Sequence, residues 1–293
     1  KTTEKITRQL ERLDIIVCPN TVCRLLKEMG FSLKVNIKKI ESGMKNPPDP
    51  QKRDQQFGYI GDLREQFAKG ELPIISVDTK KKELVGNFKN NGKVWQQEAI
   101  EVYDHDFPTD AVGKAVPYGI YDTQKNTGTV FVSRSADTPA FAVECIERWW
   151  ANYGKTQYPD SKELLILADA GGSNSYRSRV WKYQLQKKMC DKHGISLRVS
   201  HYPPGSSKWN PIEHRLFSEI SKNWAGRPLD SFQTVLKYLR TTKTSTGLKV
   251  TAHYVRKKYQ KGERVSNKQM KELCLEKHKT LSDWNYKLSP SKM

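Results

Sequence analysis

No apolar run in this 293-residue chain approaches the roughly 18 residues needed to cross a bilayer. The opening residues carry no signal-peptide pattern. There is no G-x-x-x-x-G-K-S/T loop and no G-x-G-x-x-G, so the two usual cradles for nucleotide phosphates are missing. Cysteine is sparse and scattered, at Cys18, Cys23, Cys145, Cys190 and Cys274. An odd, dispersed set excludes a disulfide framework and suits a reducing compartment. Cys18 and Cys23 have a finger-like separation, but no second Cys or His pair follows at the distance a zinc finger needs. Internal repeats and low-complexity tracts are absent. Acidic residues are the minority, 32 against 51 basic, which gives a net charge of +19 and a pI near 9.6. Such a charge attracts polyanions, nucleic acid first and anionic membrane second. The basic residues run through the whole chain, as in a folded protein that is basic in several places. The competing account is a basic accessory protein with no chemistry of its own.

The scarce acids are placed with a pattern. At residues 164–172, LLILADAGG, five apolar residues lead to Asp169 and two glycines follow. A short apolar run ended by turn residues reads as a strand buried on both faces. A lone carboxylate in a core costs several kcal/mol or more unless a partner or metal compensates it, so Asp169 is expected at the strand's mouth. LPIISVDT repeats the same grammar and ends at Asp78. A third acid, Glu213, opens a helix. Asn210-Pro211-Ile212-Glu213 matches helix-start chemistry, with Asn as N-cap, Pro at the first position and an acid completing a capping box. That is a full structural explanation for Glu213. Against it, Leu216, Phe217, Ile220 and Trp224 follow on the same helical side, so Glu213 heads the apolar stripe and faces the sheet. Three carboxylates converging over a sheet edge repel one another and need cations between them. Oxygen-only ligands suit Mg²⁺ or Mn²⁺, and two such ions can serve an in-line phosphoryl displacement with one Asp shared. With so basic a chain, the expected substrate is a nucleic-acid phosphodiester. Lys208, Asn210, His214 and Arg215 stand beside Glu213 as candidate phosphate contacts, or as surface and capping residues. Asp104, Asp106 and Asp110 with His105 imitate a metal site but lack an element to fix them, and Asp122 suits a turn.

Ile6, Leu10 and Leu13 give a first helix over residues 4–13, and Pro19-Asn20-Thr21 opens a second that Gly30 stops. The pair fits a helix-turn-helix, with Arg24 and Lys27 outward on the second helix as DNA contacts, or else a plain helical hairpin. We therefore expect a helix-turn-helix DNA-binding region at 1–45 and a linker with a lead-in helix at 46–70. A catalytic core at 71–225 follows, then a basic, mostly helical region at 226–293. Within the core, residues 80–104 read as a basic hairpin turning at Asn90-Asn91-Gly92. The remaining strands and helices alternate, as in an α/β mixed sheet flanked by helices. The chain opens at Lys1 on residues already helical in pattern, as a piece of a longer protein would.

SVDTKKKE with Asp78, LILADAGGSN with Asp169 and HYPPGSSKWNPIEHRLFS with Glu213 together resemble the DDE transposases of bacterial insertion sequences, and among them the ISAzo-thirteen family. TVCRLLKEMGFSLKVNIKK and the terminal WNYKLSP share that likeness, which covers nearly the whole chain. The resemblance implies an RNase H-like core and a helix-turn-helix that binds terminal inverted repeats. It also implies two divalent ions, Mg²⁺ or Mn²⁺, held by Asp78, Asp169 and Glu213, cutting of double-stranded DNA at the element ends, and attack of the 3′-OH on target DNA. A homodimer or larger assembly on DNA, cytoplasmic and associated with the bacterial nucleoid, follows from the same likeness. The alternatives are an RNase H-like endonuclease that does not join strands and a DNA-binding repressor without chemistry.

Overall fold

The computed structural model describes residues 2–33 and 49–291. They fall in two compact units, Lys1–Lys45 and Asn46–Met293. Of the linker and lead-in helix expected at 46–70, residues 46–48 lie outside the described residues.

In the first unit, α1 (Thr3–Glu11) starts where the Thr2 hydroxyl accepts from the Lys5 amide. Helix α2 (Pro19–Glu28) starts on a proline and ends before Gly30, whose φ of +80° a side chain would resist. The two helices pack together, and Val22 is their one buried residue. Arg24 and Lys27 are exposed on α2.

The second unit is built on a nine-stranded mixed sheet in the order β7-β4-β3-β1-β5-β6-β9-β8, with β2 paired to β3. Helix α3 (Pro50–Lys69) leads into β1 (Ile74–Thr79), then β2 (Glu83–Val85), β3 (Gly113–Asp122) and β4 (Thr127–Ser133). Helix α4 (Pro139–Trp149) and the one-turn α5 (Lys155–Gln157) flank a π-helical turn and precede β5 (Glu163–Ala168). Next come α6 (Arg179–Leu185), β6 (Ser196–His201), α7 (Ser218–Asn223) and α8 (Phe232–Thr241). β7 (Lys249–Val255), α9 (Asn267–Lys271), β8 (Leu275–Lys277) and β9 (Asn285–Leu288) finish the chain. Strands β1, β5 and β6 run parallel at the centre, and the apolar runs of β1 and β5 are what burial on both faces demands. Helices α4 and α6 cover one face through Phe141, Ile146, Trp149, Trp181 and Leu185, packed on Val77, Tyr118 and Ile166. On the other face α3 sets Ile60, Leu63 and Phe67 over Ile74, Leu165 and Leu167. Beside it, Ile212, Leu216, Phe217, Ile220 and Trp224 join α8 over Val130, Val132 and Val250.

Two expectations fail. Residues 80–104 form no hairpin: only β2 joins the sheet. The Asn90-Asn91-Gly92 turn is instead tied to the end of α7, because Gly226 N donates to Asn91 O at 2.9 Å and Asn90 Nδ2 to Trp224 O at 3.0 Å. The region after residue 226 is not mostly helical either. It supplies β7, β8 and β9, and so both outer portions of the sheet.

Candidate active site

Strand register makes the first carboxylate pair. β1 and β5 are parallel with Val77 beside Ala168, so the next residues, Asp78 and Asp169, lie side by side where both strands end. Asp78 is the fifth residue of β1 and Asp169 the first past β5. Alternation puts Ser76 and Asp78 on the α3 face, together with Leu165 and Leu167. Asp78 is 9% exposed, and its Oδ1 accepts from the Thr79 amide at 2.7 Å. Asp169 accepts from Gly171 N at 3.3 Å and from Asn174 Nδ2 at 3.4 Å. Asn174 is held in turn by the Tyr118 hydroxyl at 2.8 Å, and Gly172 turns the chain with φ +57°. Among the described residues neither aspartate has an ion pair. Burial, then the neighbouring Asp169 charge, pushes the Asp78 carboxyl up to about 8. Burial raises Asp169 to about 6, with Asp137 and Glu213 adding repulsion.

Glu213 comes from the helix that opens at Pro211, at the head of a π-helical turn, Glu213–Phe217. π-Turns of this kind gather at functional sites because they re-aim one residue without ending a helix. The helix start is pinned to β1 directly beneath Asp78. The Ser76 hydroxyl donates to Asn210 Oδ1 and accepts from Ile212 N at 3.0 Å, while Asn210 Nδ2 reaches Val77 O at 3.3 Å. Asn210 is wholly buried in this clamp. Its side chain ties strand to helix rather than capping Glu213 or facing a phosphate. Farther along, Gly119 and Gly128 leave the room in which Phe217 and Leu216 rest on β3 and β4. Burial raises the Glu213 carboxyl and Lys80 opposes that shift, and Glu213 adds to the repulsion felt at Asp78 and Asp169. Among the described residues, no three His, Cys, Asp or Glu side chains close on one point tightly enough to hold a single ion.

Two residues escaped sequence reasoning. Lys80 is almost buried, with Nζ 3.1 Å from Glu83 and 4.5 Å over the Trp224 ring, and desolvation lowers its pKa. It lay inside a run of four charged residues that reads as a solvated face. Asp137 sits beside Thr79, whose Oγ1 donates to it at 3.0 Å, and its charge reaches both aspartates. An Asp just before the Thr138 N-cap of α4 carries no strand signal, so nothing local marked it.

Of the other candidates, Lys208, His214 and Arg215 are exposed. His214 Nε2 hydrogen-bonds Lys208 O, and Lys208 Nζ lies 5.4 Å over the exposed Trp209 ring, so the loop before the helix and the helix's first turn carry these groups next to Glu213. Arg24 and Lys27 belong to the first unit, where Arg24 pairs with Glu28 at 2.7 Å. His105 pairs with Asp104 at 3.2 Å in the open, and Asp106 and Asp110 are exposed as well. Asp122 accepts from Gln124 N and Lys125 N, as a turn Asp does.

The chain matches, over residues 1–290, the model of a family described as the Rhodopirellula transposase DDE domain. Among solved structures, the Mos1 transposase paired-end complex with left transposon end aligns at 15% identity and TM-score 0.47, covering 82% of this chain and 65% of that one. The mariner Mos1 paired end complex with Mg aligns at 15% identity and TM-score 0.50, with 82% and 65% covered. This chain therefore spans 65% of the length of those Mos1 chains. At such identity the likeness is one of fold: a large mixed sheet flanked by helices. No curated protein matches the sequence.

Proposed function

We propose that this chain, which belongs to the Rhodopirellula transposase DDE domain family, binds the ends of its element, cuts them with two divalent ions and joins the freed 3′-OH to target DNA. The observation that carries this is the register pair. Asp78 and Asp169 are brought side by side at the ends of adjacent parallel strands, neither is paired with a Lys or Arg side chain among the described residues, and burial beside Asp169 pushes Asp78 up to about 8. Burying two carboxylates together is unfavourable unless positive charge joins them.

The donor set fits Mg²⁺ or Mn²⁺. It is all oxygen, and when two ions share one Asp each needs only two side-chain carboxylates, because Mg²⁺ keeps several waters. We assign Asp78 and Asp169 as ligands from the strands and Glu213 as the ligand from the helix. Bound there, two such ions supply the charge that stabilises the attacking and leaving oxygens of phosphoryl transfer. The chain's own residues orient the site. The Ser76–Asn210 clamp fixes where Glu213 starts, and Asn174 and the Gly171 amide aim the Asp169 carboxylate. Lys80, buried beneath Trp224, offsets charge near Glu213. Exposed Lys208, His214 and Arg215 hold flanking phosphate, and Arg24 and Lys27 on α2 contact the duplex of the element end, as in a helix-turn-helix. Joining two ends calls for at least a dimer on double-stranded DNA. We place that assembly on cytoplasmic, nucleoid DNA; among the described residues no helix is long and apolar enough to cross a membrane.

The test is a strand-transfer assay with the element's terminal DNA and Mn²⁺. We expect cut and joined products from the native protein and neither from Asp78→Asn, Asp169→Asn or Glu213→Gln, all three still binding DNA. Hydrolysis without any joined product overturns strand transfer, and cutting by Asp169→Asn overturns the assigned site.

A further inference from the structure

His201 closes β6 and is wholly buried, level with Ala168 in the β5–β6 register. Its Nδ1 lies 2.9 Å from the backbone oxygen of Asp169 and its Nε2 lies 3.2 Å from the Tyr286 hydroxyl of β9. That hydroxyl in turn sits 2.9 Å from Trp181 Nε1 in α6. Donor and acceptor capacities fix where the hydrogens go. An indole N–H only donates, so the Tyr286 oxygen accepts it and has its own hydrogen to give. A carbonyl oxygen only accepts, so Nδ1 must carry a hydrogen. Nε2 is then the bare nitrogen that receives the Tyr286 hydroxyl. The other neutral tautomer sets a bare Nδ1 against the Asp169 oxygen, and a doubly protonated ring leaves the Tyr286 hydrogen without an acceptor. Tyr176, Trp181 and Tyr286 box the imidazole at ring distances of 6.1, 6.5 and 5.9 Å, so it cannot swing away.

We propose that His201 is a positioning residue for Asp169, held as the Nδ1–H tautomer by Tyr286 and Trp181. This rests on the assignment of Asp169 as a metal ligand above. Asp169 is the first residue beyond β5, where the ladder no longer dictates the direction of its carbonyl. The imidazole N–H does so instead, and fixes the peptide from whose Cα the carboxylate projects. Gly171 N and Asn174 then hold the carboxylate itself. A relay of hydrogen bonds thus runs from α6 through β9 to the backbone of the site. Outer partners of this kind change metal affinity by about 10–100-fold when removed.

The test combines ¹⁵N NMR of the metal-free protein with Mn²⁺ titration by electron paramagnetic resonance, on the native chain, His201→Asn, His201→Phe and Tyr286→Phe. Asparagine keeps an amide N–H where Nδ1 was; phenylalanine fills the volume and donates nothing. We expect a proton on Nδ1 and none on Nε2 in the native chain, with the second tautomer appearing in Tyr286→Phe. Mn²⁺ affinity should fall by about 10–100-fold in His201→Phe and recover largely in His201→Asn. Nε2 found protonated in the native chain overturns the proposal, as does native Mn²⁺ affinity in folded His201→Phe or an asparagine variant no better than it. If His201→Phe does not fold, the tautomer shift and affinity of Tyr286→Phe decide in its place. Native Mn²⁺ affinity in Asp169→Asn would instead refute the ligand assignment, whatever tautomer His201 holds.

Discussion

A single methyl group at Gly119 should cost both activity and stability. Gly119 pairs with Asp78 across β1 and β3 and faces the helix that carries Glu213. A Cβ placed there would stand 2.5 Å from Phe217 Cε1, 2.8 Å from its Cζ and 2.9 Å from Ile212 Cδ1. Carbon atoms ordinarily meet at about 3.5–4.0 Å, so the overlap is about 1 Å. The Phe217 ring is buried and β3 is an inner strand, so the helix is the part that must yield. Overpacking of this kind costs about 1–3 kcal/mol. Glu213 heads the same turn as Phe217 and moves with it, and a displacement of about 1 Å at a reacting centre can cost about 10²-fold in rate. Urea unfolding and Mn²⁺-dependent cutting of terminal DNA would measure the two losses for Gly119→Ala. Adding Phe217→Leu should return part of the rate while lowering stability further, because the smaller side chain readmits the helix. Native cutting by Gly119→Ala, or simple additivity of the two changes in rate, would refute the steric account.

Asp78 predicts an unusual pH dependence. Its folded pKa is raised, so its contribution to stability is complete below about 4 and is lost as pH climbs toward about 8. Melting temperatures of the metal-free protein should fall across that window, Asp78→Asn should flatten the fall, and Mg²⁺ should stabilise most at the alkaline end; a destabilised Asp78→Asn at pH 8 would count against it. Glu144 behaves oppositely. Lys257 at 2.6 Å and Lys188 at 3.3 Å hold its carboxyl down at about 2 against the cost of burial, and Arg148 pairs with it at 2.6 Å. Glu144→Gln should cost about 1–2 kcal/mol at neutral pH, discounted because the cations are partly exposed, and the difference should vanish as acid approaches pH 2; urea titrations at both pH values check this. DNA affinity should drop steeply with salt through counterion release, and a flat salt titration would contradict the electrostatic argument. Arg24→Ala should weaken capture of terminal DNA more than cutting of ends already bound, as gel shift and single-turnover assays on the same substrate would reveal.

The catalytic strands were legible because β1 and β5 bury both faces and must spell themselves in apolar residues. Leu216, Phe217, Ile220 and Trp224 likewise revealed the buried side of the Glu213 helix. What stayed hidden is what tertiary pairing alone creates. β7, KVTAHYV, alternates polar and apolar residues as a strand does, but its Lys and His beside the basic tail made it read as more of the same. β9 is four residues long and gains its identity from Gln56, whose amide reaches Asn285, Ser200 and His201 O in one buried network. Asn210 matched a cap by type, yet the Ser76 hydroxyl on a strand far away in sequence claimed its side chain. Asp137 came into the site through the fold of a loop, without any periodicity to announce it.

The order of strands also sets a timetable. β4 finds its outer partner only in residues 249–255, and β6 only in 285–288. A nascent chain halted before β7 would present two open sheet edges, which invite pairing with other chains. It would also lack Tyr286, and with it the hydroxyl that reaches His201 behind Asp169. Pairings so distant in sequence form late and slowly. The carboxylate site is therefore completed by the segment that leaves the ribosome after every one of its acids, and a half-made chain has the three carboxylates but not the frame that aims them.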